Sequence, residues 1–253
     1  MVKFFALVSG VLFSQLTLAA ACPTSTTSTP TGSAFNTNCT VTGSASTIQL
    51  NFYNGFADAT GIAAVGGNGG TTVGAQRKLS FIKAAEILAD QVQSSQTILV
   101  DADFTSLSCD AGSATLGSAG ASGNMGNVTF NKDGVNNPPT GQIANTFYPI
   151  GLLNAMGSDD YSAGSDINSS FNAYIGTTGC LQGSNGWYYG FDAPPSNYIG
   201  FTTVLLHEMT HGFGFASLTD AETGAKASGI DDIFSNFLYS AAASANWQAA
   251  NSS

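Results

Sequence analysis

The sequence predicts an α/β (α+β) domain in which a twisted mixed sheet is backed by a long helix. The prediction rests on three consecutive segments. Thr47 to Tyr53 alternates well enough for a strand, and Thr97 to Phe104 has the apolar character of a buried strand. Between them, Ala75 to Gln93 carries apolar residues at spacings of three and four, which is typical of a helix with one buried face. The order strand, helix, strand indicates a sheet with this helix behind it.

Later segments predict less regular structure and two further helices. Ser106 to Asn137 is rich in Gly, Ser and Asn, which indicates irregular chain or short strands. Phe201 to Phe213 predicts a helix that is buried through its apolar run 204–206 and ended by Gly212 and Gly214. Asp232 to Ala243 predicts a final helix.

Composition excludes some classes of partner. The chain has 253 residues, enough for one good core, and its hydrophobic content of 43% is ordinary for a globular protein. Its formal net charge is −10, and six Lys and Arg residues cannot build a basic patch, so we expect no nucleic-acid partner. Charged residues make up only 9% of the chain, a surface that suits an extracellular protein.

The N-terminus predicts a secreted protein. Residues 1–21 resemble a signal peptide, with Lys3, an apolar run from Phe4 to Leu18 and an A-x-A cleavage site at 19–21. A membrane anchor is the alternative, although the run is shorter than the ~20 residues that a span needs. A third interpretation is a lipid-modified Cys22 or a periplasmic location. We expect no transmembrane segment in the mature chain.

After the signal peptide, residues 22–46 are predicted to form a Ser/Thr-rich leader before a domain at 47–253.

The mature chain is predicted to hold two disulfides. An even number of cysteines in an exported chain indicates disulfide bonds, and Cys22–Cys39 with Cys109–Cys180 is the simplest of three possible pairings.

Both histidines of the chain lie four residues apart, in the run His207-Glu208-Met209-Thr210-His211. Positions i and i+4 share one face of a helix, so the two imidazoles can bind one metal ion together. This is the H-E-x-x-H pattern of zinc peptidases, in which the glutamate accepts a proton from a zinc-held water. The alternative is that the pattern arose by chance on a helix. The sequence therefore predicts a Zn²⁺ site at His207 and His211, with Glu208 as the general base.

Residues 207–217 read H-E-M-T-H-G-F-G-F-A-S and resemble the metzincin motif H-E-x-x-H-x-x-G-x-x-H up to its glycine. The chain is similar to a group of secreted bacterial metzincin-like zinc metallopeptidases that carry H-E-x-x-H-G-x-G-F and are often described as protease-associated-domain proteins. The similar stretches are 145–156, 187–190, 201–215 and 229–239. The resemblance implies a zincin/metzincin-like catalytic domain with an active-site helix below a cleft, zinc ligands at His207 and His211, and Glu208 as the base.

The third zinc ligand departs from that motif, because its place is taken by Ser217. The third ligand is then expected to be a carboxylate or to come from outside this chain. Among the acids we favour Asp232, at the start of the predicted last helix, with Asp220 as runner-up and Asp231 third. For each of these acids, capping a helix or lying in a solvated turn is an equally good interpretation. Metzincins also carry a methionine below the zinc. Here none follows Met209, so either that turn is absent or the domain is truncated at its C-terminus.

These observations predict a secreted zinc-dependent metalloendopeptidase that hydrolyses peptide bonds with a zinc-activated water. The partner would be a protein or peptide that binds extended along an edge strand. Tyr188 or Tyr189 is a candidate donor to the oxyanion, with core packing as the alternative. The competing hypothesis is a secreted binding or adhesive protein that retains a zincin fold without turnover. The sequence does not fix the cleavage preference or the oligomeric state.

Overall fold

The protein is described here from a computed structural model that covers residues 37–220, 222–241 and 244–247. The predicted signal peptide and residues 22–36 of the predicted leader lie outside the described residues. The described part is a mixed α/β structure with a mixed sheet and three α-helices, which confirms the coarse α+β class. No helix within the described ranges is both long and apolar enough to cross a bilayer.

The helices are α1 (Val73–Ala89), α2 (Ile150–Gly157) and α3 (Phe201–Gly212), with short 3₁₀ turns at Ala227–Gly229 and Ser235–Phe237. The strands are β1 (Thr37–Thr42), β2 (Thr47–Phe52), β3 (Ile98–Thr105), β4 (Gly117–Ala121), β5 (Asn124–Met125), β6 (Thr146–Pro149), β7 (Ile167–Asn172), β8 (Trp187–Tyr188), β9 (Ile199–Gly200), β10 (Asp231–Asp232), β11 (Tyr239–Ser240) and β12 (Ala245–Asn246).

The main sheet has five strands in the order β1-β2-β3-β7-β4. The β2, β3 and β7 strands run parallel, while β1 and β4 pair antiparallel at the two ends. The parallel β2–β3 connection contains α1, as the strand-helix-strand order predicted. The edge strand β4 lies next to α3, so this end of the sheet is where the H-E-x-x-H motif is found.

One face of the sheet packs against α1 and α3. Alternate residues of each strand enter this core, for example Leu50, Val100 and Phe171. Phe201, the first residue of α3, is fully buried and its ring contacts those of Phe81, Phe104, Phe171, Trp187 and Tyr189. Burying one such side chain contributes about 1.5–3 kcal/mol, so this aromatic cluster anchors the start of α3 to the sheet.

A smaller apolar cluster lies beside the main core. Val128, Tyr148, Leu153 and Tyr161 form it, with Ile233 packed against it. Here β6 pairs antiparallel with β5 and parallel with β10. The cluster therefore brings the chain after α3 back towards the edge strand.

Two segments differ from the prediction. Thr37–Thr42, which falls in the predicted leader, forms strand β1, because Cys39 and Val41 alternate into the core while their neighbours face outward. The predicted helix at 232–243 is wrong. Asp231–Asp232 pairs with β6, and only one 3₁₀ turn follows before the chain extends at Leu238.

The predicted disulfide Cys109–Cys180 is confirmed and joins the loop after β3 to the loop after β7. Cys39 is disulfide-bonded as well, while its predicted partner Cys22 lies outside the described residues.

Candidate functional site

Helix α3 presents His207 and His211 on the side away from the core. Its buried residues Phe201, Leu205 and Met209 recur every four positions and form one face. His207 lies two residues from both Leu205 and Met209, about 200° around the helix, and is exposed. The amphipathic pattern of α3 thus fixes which way the imidazoles point.

The two imidazoles face each other with the geometry of a shared ligand pair. Their Nε2 atoms are 3.2 Å apart and the ring planes are nearly perpendicular, at 88°. Two nitrogens bound tetrahedrally to one zinc ion at 2.0–2.1 Å would be separated by about 3.3 Å. This spacing matches that of two ligands of one zinc ion, and it also suits an Nε2–H···Nε2 hydrogen bond between the rings.

The backbone after α3 orients the second imidazole. His211 Nδ1 lies 2.8 Å from the carbonyl oxygen of Phe215, a distance at which Nδ1–H donates to that oxygen. The proton then resides on Nδ1, so the lone pair of Nε2 is directed at His207. Gly214 makes this possible, because it adopts φ +100° and turns the chain back over the end of the helix.

Glu208 is held by the edge strand. The backbone N–H of Ala119 in β4 donates to Glu208 Oε2 over 3.1 Å. This contact holds the carboxylate at the strand that lies next to α3. Sequence reasoning missed Ala119, because the interacting group is a backbone amide in a segment of small residues.

Asp232, the predicted third ligand, is buried among hydrogen-bond donors from the segments around it. Its Oδ1 accepts from Ser235 N at 2.7 Å, and its Oδ2 accepts from Ser235 Oγ at 2.8 Å and Leu218 N at 3.0 Å. Ser217, which stands where the metzincin motif has its last histidine, lies 2.7 Å from the same Ser235 hydroxyl. The motif position and Asp232 thus belong to one hydrogen-bonded cluster.

The alternative acids make local contacts. Asp220 is exposed and accepts from the backbone and side chain of Thr223, which holds the pKa of its carboxyl below the ordinary value. Asp231 pairs with Lys226 at 2.6 Å. Across the part of the chain that the structure describes, no group of three or more His, Cys, Asp or Glu is placed to hold a metal ion. The structure brings the imidazoles of His207 and His211 together, and the third ligand stays a prediction.

A cavity of about 360 Å³ opens beside His211. Its walls come from β4, from the turn after α3 and from the segment that contains Asp232. The residues lining it are mostly apolar, including Phe147, Pro149, Leu218 and Ile233. The cavity can therefore hold an apolar side chain next to His211.

The tyrosines of the 187–190 stretch are engaged elsewhere. The Tyr188 hydroxyl donates to Asp192 at 2.6 Å, and this bond raises its pKa. Tyr189 is buried in the core, where burial raises its pKa, and its hydroxyl accepts from Arg77. Core packing is thus found for Tyr189, whereas Tyr188 is held by Asp192 outside the core.

Comparison of the chain with protein-family models, with curated proteins and with solved structures finds no match. The metzincin likeness therefore remains a resemblance carried by the motif residues.

Proposed function

We propose that this protein is a secreted zinc-dependent metalloendopeptidase with a zincin-like fold. The observation that carries the proposal is the pair of imidazole Nε2 atoms 3.2 Å apart on α3. Glu208 directly follows His207 in the chain. Two histidines oriented in this way suit a divalent metal such as zinc, and the adjacent carboxylate suits proton transfer. These are the chain's only histidines, so no other pair competes for the metal.

When bound, zinc would supply Lewis acidity, polarising the substrate carbonyl and lowering the pKa of water in the site. His207 and His211 would hold it through Nε2. Asp232 is the proposed third ligand, supported by its position with His211 on the wall of one cavity and by its link through Ser235 to Ser217. A carboxylate in this place would compensate for the missing third histidine.

Glu208 would move the proton. Its carboxylate would accept a proton from the attacking water and pass it to the nitrogen of the leaving amine, so that the peptide bond breaks with a neutral leaving group. The Ala119 amide fixes the carboxylate at the edge strand, where a bound peptide would also lie. Base and substrate would therefore meet on the same side of α3.

The peptide would bind along β4 as an added strand. Asn172 N donates to Leu116 O and Ser122 N donates to Asp166 O, so even-numbered residues of this segment pair with β7. Backbone groups alternate in an antiparallel strand, and the N–H and C=O groups of Gly117, Ala119 and Ala121 consequently face the outer edge. The cavity next to His211 would receive an apolar side chain of the substrate.

The secreted location is supported by oxidised cysteines. The Cys109–Cys180 bond and the disulfide of Cys39 are stable in oxidising compartments and rare in the cytosol.

Replacing the base tests the proposal against the alternative of a secreted binding protein without turnover. We expect Glu208→Gln to lower casein hydrolysis by about a thousandfold or more, because the proton acceptor is lost, while zinc content stays at one per chain. Glu86→Gln, on the far helix α1, is the matched control and should retain wild-type turnover. A zinc-loaded wild type that hydrolyses neither casein nor unfolded proteins would favour the binding protein.

A further inference from the structure

We infer that the backbone amide of Ala119 is the positioning group for Glu208, so that the edge strand itself holds the general base. This inference rests on the proposed peptidase function for its consequence. The hydrogen bond that carries it is present in the structure: Ala119 N lies 3.1 Å from Glu208 Oε2. A bond from an amide to a carboxylate is stronger than one between neutral groups and directs one oxygen firmly.

The geometry of β4 leaves this amide available. Ala119 lies opposite Ser169 at a position where the backbone groups do not point towards β7. Its N–H faces the outer edge of the sheet, where it would be free to pair with an added strand if Glu208 did not accept from it. Glu208 takes up this donor. The side chain of Ala119 is partly buried and packs against the main core.

The hydrogen bond between Ala119 and Glu208 couples the position of the general base to the binding of a peptide along β4. Any shift of β4 moves the amide and therefore the Glu208 carboxylate, because the two share a hydrogen bond. A peptide that pairs with β4 must also leave this one N–H to Glu208, and it can use the C=O of Ala119 and the backbone groups of Ala121 instead. The register of a bound peptide is thereby restricted around the base.

Amide hydrogen exchange tests the bond without relying on activity. In the wild type we expect the Ala119 amide to be protected like those of Ser118 and Gly120, which pair with β7. In Glu208→Ala the Ala119 amide should exchange about tenfold faster or more, while Ser118 and Gly120 stay unchanged. The Ala121 amide, which faces the same edge, serves as the internal reference for an N–H without this acceptor.

Kinetics test the consequence. Ala119→Pro removes the N–H donor. Proline is tolerated at this edge-strand position because the Ala119 N–H makes no hydrogen bond to β7. We expect it to lower kcat for a fluorogenic peptide by about tenfold or more at unchanged zinc content, whereas Ala121→Pro should act mainly through KM.

The outcomes separate the two proposals. Exchange at Ala119 that is insensitive to Glu208→Ala would overturn the assignment of Ala119, and so would equal kcat losses in the two proline variants. Failure of the zinc-loaded wild type to hydrolyse any peptide would instead overturn the peptidase proposal, and the exchange measurement would still decide the hydrogen bond. Because exchange is followed in Glu208→Ala, the test stands even where Ala119→Pro does not fold.

Discussion

At the scale of single residues, Asp232 combines a structural role with a proposed chemical one. Its carboxylate accepts hydrogen bonds from Leu218 and Ser235 and so fixes the chain that follows α3. It also lines the cavity that contains His211. A buried carboxylate with several donors is well satisfied in the fold. Its role as a ligand therefore has to be separated experimentally from its role as an acceptor.

Asp232→Asn keeps the shape of the side chain and removes its charge. We expect zinc affinity to fall about tenfold or more, measured by competition with a chelator, because a neutral amide is a poor third ligand. Asp220→Asn changes an exposed turn and should bind zinc like the wild type.

Ser235→Ala provides the structural control for that comparison. It removes the hydroxyl that donates to Asp232 and keeps the carboxylate. If Ser235→Ala and Asp232→Asn weaken zinc binding equally, Asp232 only supports the backbone. If Asp220→Asn alone loses zinc, the runner-up is the ligand.

At the scale of elements, the turn that ends α3 is part of the site. Gly214 adopts φ +100°, and a Cβ there would lie 2.7 Å from Pro149 Cγ. This turn carries the Phe215 carbonyl to His211 Nδ1. Any side chain at this position would have to shift the turn, because the left-handed conformation and the contact with Pro149 both oppose it.

We expect Gly214→Ala to lower the free energy of unfolding by about 2 kcal/mol and to weaken zinc binding about tenfold, because His211 loses its orienting acceptor. Gly134→Ala is the matched control: Gly134 has φ +78° with no atom within 4 Å of its added Cβ. Chemical denaturation and zinc competition on both variants check this. Zinc affinity that falls equally in the two would contradict a role for the turn.

The elements also show which features a sequence can predict. Helices α1 and α3 and strands β2 and β3 were predicted because their apolar residues recur in the sequence with the period of the element or form an apolar run, and in the structure these elements are largely buried on one face. Strand β4, with the sequence GSAGA, has no such pattern, since its place at the sheet edge depends on pairing with the distant β7.

The candidate site divides in the same way. His207, Glu208 and His211 are visible from their spacing on one helix; the structure brings the two imidazoles together and holds the Glu208 carboxylate at the Ala119 amide. The groups that orient them, Ala119 N–H and Phe215 C=O, are backbone atoms that any residue would supply. Only the fold determines that these atoms meet the motif. The last segment was predicted as a helix, whereas Asp231–Asp232 pairs with the distant strand β6, a contact that the local sequence does not show.

At the scale of the whole molecule, Asp166 links the two apolar clusters. It is 2% exposed, and its carboxylate accepts from Leu99 N of β3 and from Asn154 Nδ2 of α2, each at 2.8 Å. Its own backbone also pairs with Leu99 and Ser122 on either side. This residue therefore ties the five-stranded sheet to the smaller cluster around α2. Burial raises the pKa of its carboxyl to about 6.

This shift makes global stability depend on pH in a defined direction. The ordinary pKa of an aspartate in the unfolded chain is 3.8, so between pH 4 and 6 the folded protein binds more protons at Asp166 than the unfolded one does. The free energy of unfolding should therefore rise as the pH falls from 7 to 5, by about 1–2 kcal/mol. Acids whose pKa is lowered, such as Asp159, oppose this only at lower pH, where their stabilising contribution is lost.

Urea denaturation of the zinc-free protein at pH 7, 6 and 5 measures this slope, and zinc is left out because metal affinity itself depends on pH. Asp166→Asn should flatten the slope between pH 7 and 5, although it lowers stability at every pH because an amide cannot accept from both Leu99 and Asn154. Asp103→Asn, on a strand of the same sheet, is the control and should keep the wild-type slope. An unchanged slope in Asp166→Asn would show that a different group titrates, and that the link between the two clusters is insensitive to its charge.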